Sequence, residues 1–551
     1  MLLRSVSRLL STLVISNVLV TRIVAGSCRV YSGLGEPCIF PFVWNGTFYA
    51  ECTSDFNDGS EAMCPTKLDN EITLEATNNP AHWGVCSKEC NLKHYNSNQQ
   101  VYDKIVQLGE EYKSIAKPFI IGRSMKNQPM VGLRISKNVR QERKLLKPMV
   151  RLVANIGGNE VVGREILLQL GQHLLMGYQL DERVTKLIDT TDISILPSLN
   201  PDGYDRAQEG ECSGSGKNSG STNENDVDIN DDFPTVKDWD RFNSDLTYDP
   251  FSGGRQAETL AIMNWSTHPF VISANLHDGA VLITYPFDHF QQGKRGVENL
   301  TPDNDIFHHL STTYSTKHKT MSNGTTCYRR AKYSNGVENG ASWFSRNSRD
   351  EIVGSLKDFS YLFTNNLEIS IDIACCKFPK SYFLLQEWEK NKESLLSYIE
   401  QVHMGIKGLV SLEGNSLHQG AEVIVWNPDG SRRGKNMLTS EFGEYWRVLL
   451  PGQNGNNTYA IQAKFEDCDV GGSGRVYESL KHRIIISENR PLKLQDLRMR
   501  AVGYCGVEEI TNTLDVLSDL ERFRGESQRQ AAESIEDDIF DSELHSFTLD
   551  S

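Results

Sequence analysis

The chain has 551 residues, 38% of them hydrophobic and 23% charged, which is too long for a single hydrophobic core and too ordinary in composition for a disordered or collagen-like protein. Its formal net charge is -15, and residues 506–551 alone hold 13 acidic against 3 basic side chains. The remaining body is close to neutral and carries no basic stripe to neutralise phosphates, so nucleic acid is excluded as a partner.

Residues 1–26 have the layout of a secretory signal peptide. Arg4 and Arg8 precede an apolar run from Leu9 to Val20, and the small residues Ala25, Gly26 and Ser27 follow. An uncleaved anchor is the alternative, although the run is too short to span a bilayer. No later stretch offers 18 consecutive apolar residues, so no integral membrane span is expected. The 12 cysteines and the Asn-x-Ser/Thr acceptors at Asn45, Asn264, Asn299, Asn323 and Asn456 agree with export. The expectation is a secreted, disulfide-bonded glycoprotein.

Residues 28–90 hold Cys28, Cys38, Cys52, Cys64, Cys86 and Cys90, as a segment too small for its own core requires. The stretches Cys38-Ile-Phe-Pro-Phe42, Asn45-Gly-Thr-Phe-Tyr49 and Trp83-Gly-Val-Cys86 resemble a fibronectin type II module. The resemblance implies bridges Cys38–Cys64 and Cys52–Cys86, to which we add Cys28–Cys90. It also implies an aromatic pocket for collagen or gelatin, for which Phe42, Trp44, Phe48, Tyr49 and Trp83 are the candidates. Met63 stands where the family usually has Trp. The same aromatics would equally serve as the core of a tiny domain.

From 95 to 402 the pattern changes to helical runs alternating with short apolar strands. Strands are expected at Met149–Ile156, Ile193–Pro197, Phe270–Leu276 and Leu367–Ala374, and helices through Val162, Ile166, Leu170 and Leu174 and from Phe383 to Val402. This alternation predicts an α/β fold, a mixed sheet flanked by helices. Residues 210–225, rich in Gly, Ser and Asn, read as a surface loop. Residues 404–503 hold short runs such as Glu422-Val-Ile-Val-Trp426 between Asn-Pro-Asp-Gly and Pro-Gly-Gln-Asn-Gly turns, and read as a small β-sandwich. Residues 506–551 read as a disordered acidic tail with one short amphipathic helix around Leu514, Leu517 and Leu520.

Several long motifs in the central region are similar to those of the zinc metallocarboxypeptidases that remove basic residues. They are Ala154-Asn-Ile-Gly-Gly-Asn-Glu160, Leu196-Pro-Ser-Leu-Asn-Pro-Asp-Gly-Tyr204, Ser273-Ala-Asn-Leu-His277, Pro286-Phe-Asp288 and Ile373-Ala-Cys-Cys-Lys-Phe-Pro379. The strands after Gly405, with Gly443-Glu-Tyr-Trp-Arg447, resemble the transthyretin-like domain of these enzymes. The resemblance implies zinc held by a His, a Glu three residues later and a distant second His, with a fourth position left open. Here Glu160 and His277 occupy the last two positions and Gly157 stands where the first imidazole belongs. The general base is implied at Asp372 in place of Glu, a methylene shorter, and such misplacement costs about a hundredfold in rate. The clamp for a peptide C-terminal carboxylate is implied at Asn230 and at Asp231 in place of Arg. Reversing that charge turns an attraction of about 4 kcal/mol, at 4 Å and an effective dielectric near 20, into repulsion. Lys217 is the counterpart of a second clamp Arg, and equally reads as a solvated loop lysine. Phe344 replaces the capping Tyr, and the insertion running through Val353 disturbs its loop.

The substitutions act at metal, base, clamp and cap, so their costs combine. The expected function is a catalytically inactive, carboxypeptidase-like extracellular binding protein for collagen, matrix or a peptide ligand, with zinc weak or absent. Asp231, Asp232 and Asp372 would favour a cationic ligand. The alternative is an active zinc carboxypeptidase removing C-terminal basic residues with a third ligand drawn from elsewhere in the fold. An acidic tail that binds a basic partner is the third reading.

Overall fold

A computed structural model of the chain describes residues 38–505 apart from 50–51, 57–60, 71–72, 87–93, 246, 252–253, 291–295, 325–326, 328–332, 348–353, 414–415, 453–455 and 469–473. The signal peptide, the Cys28–Cys90 bridge, the tail helix and most of the insertion after Phe344 lie outside the described residues.

At the amino-terminal end, β1 (Phe42–Trp44) and β2 (Thr47–Tyr49) form a hairpin, joined in one sheet to β5 (Glu75–Ala76) and β4 (Leu68–Asn70), while β3 (Met63–Pro65) pairs with β6 (Trp83–Val85). The hairpin turn is Asn45-Gly46, with φ of 48° and 75°, the dipeptide whose left-handed conformers match the twist of a two-residue connection. The bridges Cys38–Cys64 and Cys52–Cys86 both form. Phe42 is fully buried. It stacks on Tyr49 at 5.1 Å and meets the edge of Trp83 at 5.4 Å.

This module packs against the domain that follows it. Its sheet register puts Val43 opposite Phe48, and the Phe48 ring leaves the module to sit 5.6 Å from His173, which in turn lies 5.8 Å from Trp388. Gly177 admits this ring, since a Cβ there would meet Phe48 at 3.3 Å. Ser54 donates its hydroxyl to both carboxylate oxygens of Glu389, at 2.8 and 2.9 Å, and Lys392 lies 4.9 Å over the Tyr49 ring.

The larger domain is an eight-stranded mixed sheet in the order β13-β12-β14-β11-β9-β10-β8-β7. Its strands are β7 (Ala116–Arg123), β8 (Pro129–Ile135), β9 (Met149–Ala154), β10 (Asp192–Leu196), β11 (Phe270–His277), β12 (Leu282–Tyr285), β13 (Val337–Asn339) and β14 (Leu367–Asp372). The central run β14-β11-β9-β10 is parallel. Every residue of β9 and β10 is buried, as expected of strands covered on both faces. Val150, Leu152 and Ala154 point to one face, with α1 (Asn98–Glu111), α2 (Val162–Gly177), α4 (Asn304–Lys317) and α7 (Leu384–Glu400) supplying its cover. Val153 points to the other, with Ile262 of α3 (Ala257–Trp265) and Phe359 of α6 (Leu356–Phe363). The strands and helices expected from periodicity between residues 95 and 402 all form, with ends shifted by one or two residues.

Arg151 is the charged exception on β9. Its guanidinium is fully buried and meets the equally buried carboxylate of Glu368 on β14 at 2.6 Å, with the hydroxyls of Ser266 and Ser360 also on it. The segment 210–225 is more than a surface loop: Ser219, Ser221, Thr222 and Asn223 are buried. Cys212–Cys376 ties it to the chain after β14, and Cys327–Cys375 adds a second bridge there.

After α7 come β15 (Gly405–Ser411), β16 (Glu422–Trp426), β17 (Met437–Leu438) and β18 (Glu444–Arg447). β15 pairs antiparallel with β18 and β16 with β17, giving the expected all-β region. Polar groups fasten it to the helices. Lys435 donates to the carbonyls of Tyr361, Leu362 and Thr364 at the end of α6, at 2.6 to 2.8 Å, while Arg433 pairs with Asp305 at 2.6 Å and Arg447 with Asp303. Residues Lys464–Glu478 with the strand end at Arg500 form a separate compact unit, a hairpin whose Cys468 bridges to Cys505. Among the described residues no helix is long and apolar enough to cross a membrane.

Removing one partner of a buried ion pair leaves an uncompensated charge. Glu368→Ala should therefore destabilise the central domain by about 3–5 kcal/mol, read as a lower denaturant midpoint, whereas Glu368→Ala with Arg151→Met should recover much of the loss.

Candidate functional site

Parallel strands bring their carboxyl ends to one edge of the sheet, where α/β folds characteristically bind ligands. Three candidate residues meet there: Glu160 in the turn that follows β9, His277 at the end of β11 and Asp372 at the end of β14, with His277 and Asp372 as register partners. The turn is set by Asn155, which adopts φ of 58°. Its amide donates to the carbonyls of Gly157, Gly158 and Glu160, at 3.1, 2.8 and 3.1 Å.

The Glu160 carboxylate is saturated by protein. One oxygen lies 2.7 Å from His277 Nδ1, and the other accepts from Lys377 Nζ at 3.0 Å. Burial alone would raise its pKa, yet the ammonium of Lys377 and the imidazole of His277 outweigh burial and hold it at about 2. Burial disfavours a charged His277 ring, but Glu160 prevails and raises its pKa; Glu160 likewise raises Lys377. The carboxylate also lies where a side chain at 157 would begin. A Cβ on Gly157 would meet Glu160 Cδ at 2.9 Å and both its oxygens at 3.2 Å.

The Asp372 carboxylate makes no hydrogen bond to another described residue, although its backbone pairs in the sheet. Burial lifts its carboxyl to about 6, with His277 pulling down and Glu160 pushing up. Asp278, next to His277, turns one oxygen to the backbone N–H of Val162 at 2.9 Å and so caps α2; burial raises its pKa well above the usual carboxylate range. Among the described residues, the only set of three His, Cys, Asp or Glu donors close enough together to share a metal ion is Cys38, Cys52 and Cys86, and all three are in disulfides. Among the described residues no third donor joins Glu160 and His277, and Lys377 competes for the carboxylate that would have to be one of the two. The residues present do not fit a zinc ion.

Sequence reasoning missed two lysines. Lys377 lies inside a quoted motif, but nothing in its spacing says that its amine turns back to Glu160. Lys357 is fully buried, pairs with Asp288 at 2.7 Å, donates to the hydroxyls of Thr284 and Ser370 at 2.7 and 3.1 Å, and lies 5.6 Å from the Phe344 ring. Phe344, on α5 (Gly340–Asn347), is thus a half-buried neighbour of this internal cation.

Asp231 and Asn230 sit in a short 3-10 turn, Ile229–Asp231, capped by Asp228. Asp228 and Asp231 stay open to solvent on one side while protein crowds them on the others. That crowding raises both, Asp231 to about 7, and the like charges of Asp228 and Asp288 add to the effect on Asp231. Asp228 also feels Glu160, Lys377 and His277, which places it beside the Glu160 group. Asp232 instead accepts from the backbone N–H of Gln256 at 2.8 Å. The Lys217 amine donates to the backbone carbonyl of Glu224 at 2.6 Å.

Of the collagen-binding candidates, Phe42, Phe48, Tyr49 and Trp83 are buried and Trp44 is half-buried. Trp44 makes edge contacts with Phe56 at 5.2 Å and Trp83 at 5.3 Å. Phe56, another half-buried ring, stacks on Trp83 at 4.1 Å.

Comparison with known proteins bears on both regions. Residues 38–86 match the model of the fibronectin type II domain, and residues 101–394 match that of zinc carboxypeptidase. The chain is 39% identical over 361 residues to carboxypeptidase D of Drosophila melanogaster, covering 65% of this chain and 24% of that protein. It is 37% identical over 363 residues to mouse carboxypeptidase M, covering 65% of this chain and 76% of that one. Rat carboxypeptidase Z is 35% identical over 448 residues, 77% of this chain and 66% of the relative. The chain therefore spans about a quarter of the length of the Drosophila relative. By these matches the chain belongs to the zinc carboxypeptidase family and carries a fibronectin type II domain ahead of its peptidase-like region.

Proposed function

We propose that the chain is a secreted member of the family that binds rather than cleaves, acting as an extracellular binding protein for collagen, matrix or a peptide. The observation that carries this reading is the position of Glu160. Its carboxylate lies against Gly157, tied to His277 and Lys377. A metallopeptidase needs three protein donors and an open fourth position; a carboxylate already paired with an ammonium and an imidazole is poorly placed to supply one of them. Asp372 adds to this, being too short to reach as the family's Glu does.

The cleft has lost the charge that would bind a peptide C-terminus. Asp231 stands in the clamp, with Asp228 beside it, so a cationic group is the better match. The fibronectin type II module supplies the second binding surface through the accessible part of the Trp44, Phe56 and Trp83 cluster, and such modules bind collagen or gelatin in their family. The 12 cysteines agree with an oxidising compartment.

Two tests follow. Protein purified from a secretory host and dialysed against zinc should carry far less than one zinc per chain and release no C-terminal Arg or Lys from peptide substrates; stoichiometric zinc together with release would restore the exopeptidase reading. For the cleft, the raised pKa means that the folded state holds the Asp231 proton more tightly than the unfolded chain does. The stability linked to that proton is complete below the unfolded value near 4 and is lost as pH rises through about 7. Asp231→Asn should therefore match the wild-type melting temperature near pH 4, gain on it between pH 4 and 7, and keep a constant advantage above 7. An advantage independent of pH would contradict the crowding of charges at this position.

A further inference from the structure

Four of the five glycosylation acceptors in the sequence, Asn45, Asn264, Asn299 and Asn323, have described side chains. Asn299 is engaged: its amide donates to the His289 carbonyl and lies 3.0 Å from that ring's Nε2. Asn264 is exposed, but the Ser266 of its triplet is buried and receives Arg151. Asn323 is exposed, and its Thr325 lies outside the described residues. Asn45 differs from Asn299 and Asn264. It occupies the tip of the β1–β2 hairpin, both Asn45 and Thr47 of the triplet are exposed, and the Asn45 amide makes no hydrogen bond to another described residue. An N-linked glycan replaces one amide hydrogen and needs an unobstructed exit, which the turn provides.

The position matters because of its neighbour. Trp44 precedes the acceptor directly and pairs across the hairpin with Thr47. It is the half-buried edge of the cluster it forms with Phe56 and Trp83. On the opposite side of the hairpin, Phe48 is spent on the contact with His173, so the module cannot turn that side outward without undocking. The accessible aromatic surface thus begins one residue from the sugar attachment point.

We propose that Asn45 carries an N-linked oligosaccharide that stands beside the Trp44–Phe56–Trp83 cluster and limits the access of an extended collagen-like chain to it. This gate rests on the collagen-binding reading of the module. A bulky hydrophilic chain at the rim excludes a long ligand sterically and keeps the aromatic surface from self-association.

The full chain should be produced through a secretory pathway, Asn45 occupancy read by glycopeptide mass spectrometry, and binding to immobilised gelatin compared among wild type, Asn45→Asp and Thr47→Ala. Asp tolerates the left-handed backbone at this turn, and Thr47→Ala keeps the asparagine while destroying the acceptor. We expect Asn45 to be occupied and both variants, like enzymatically deglycosylated wild type, to bind gelatin about tenfold more tightly. An unmodified Asn45, or equal gelatin affinity in all forms, overturns the gate and leaves the collagen-binding reading standing. Absence of gelatin binding in every form, deglycosylated protein included, overturns that reading and the gate with it.

Discussion

The fate of one carboxylate organises the centre of this protein. Glu160 is buried at the end of a parallel strand, and a buried carboxylate must be paired with positive charge or lose its own. It is paired from two directions, by His277 from the neighbouring strand and by Lys377 from the segment after β14. Gly157 makes this possible, because any side chain at that position would collide with the carboxylate where it now lies. The glycine thus removes a donor and also opens the space into which Glu160 turns.

The surroundings hold this arrangement in place. The strand ends that carry Glu160, His277 and Asp372 are fixed by a sheet covered on both faces, and β9 is tied to β14 by the Arg151–Glu368 pair beneath the cleft. Two disulfides, Cys212–Cys376 and Cys327–Cys375, hold the segment that delivers Lys377. A second internal cation, Lys357, pairs with Asp288. The two ammonium groups pair with Glu160 and Asp288, whereas burial raises the pKa of Asp278 and Asp372. Asp228 and Asp231 lie further out, where solvent can reach them.

Much of this was legible in the sequence, and the reasons differ by element. β9, β10, β11 and β14 announce themselves because strands buried on both faces are nearly continuous apolar runs, and α2 because its apolar residues recur every fourth position. The bridges Cys38–Cys64 and Cys52–Cys86 are implied by the resemblance to a fibronectin type II module, since cysteine spacing alone leaves connectivity open. Gly157 and Asp372 were found because long flanking motifs fix their register. The hidden partners were those set by tertiary geometry. Lys377 and Lys357 read as ordinary lysines, since burial of an amine cannot be inferred from its neighbours in sequence. Lys217 was placed by register near the clamp, but its amine finds the Glu224 carbonyl in its own loop. The docking of Phe48 on His173 and Trp388 joins residues more than a hundred positions apart, and no local pattern marks it.

Glu160 is held by Lys377 and His277, and whether a divalent ion can displace that pairing is open to direct crystallographic measurement. Crystals grown in the presence of zinc, with diffraction recorded on both sides of the zinc absorption edge, should give no anomalous peak within bonding distance, about 2.1 Å, of Glu160 and His277, with Lys377 Nζ still on the carboxylate. A full-occupancy peak bonded to Glu160 and His277, with the lysine displaced, would contradict this account.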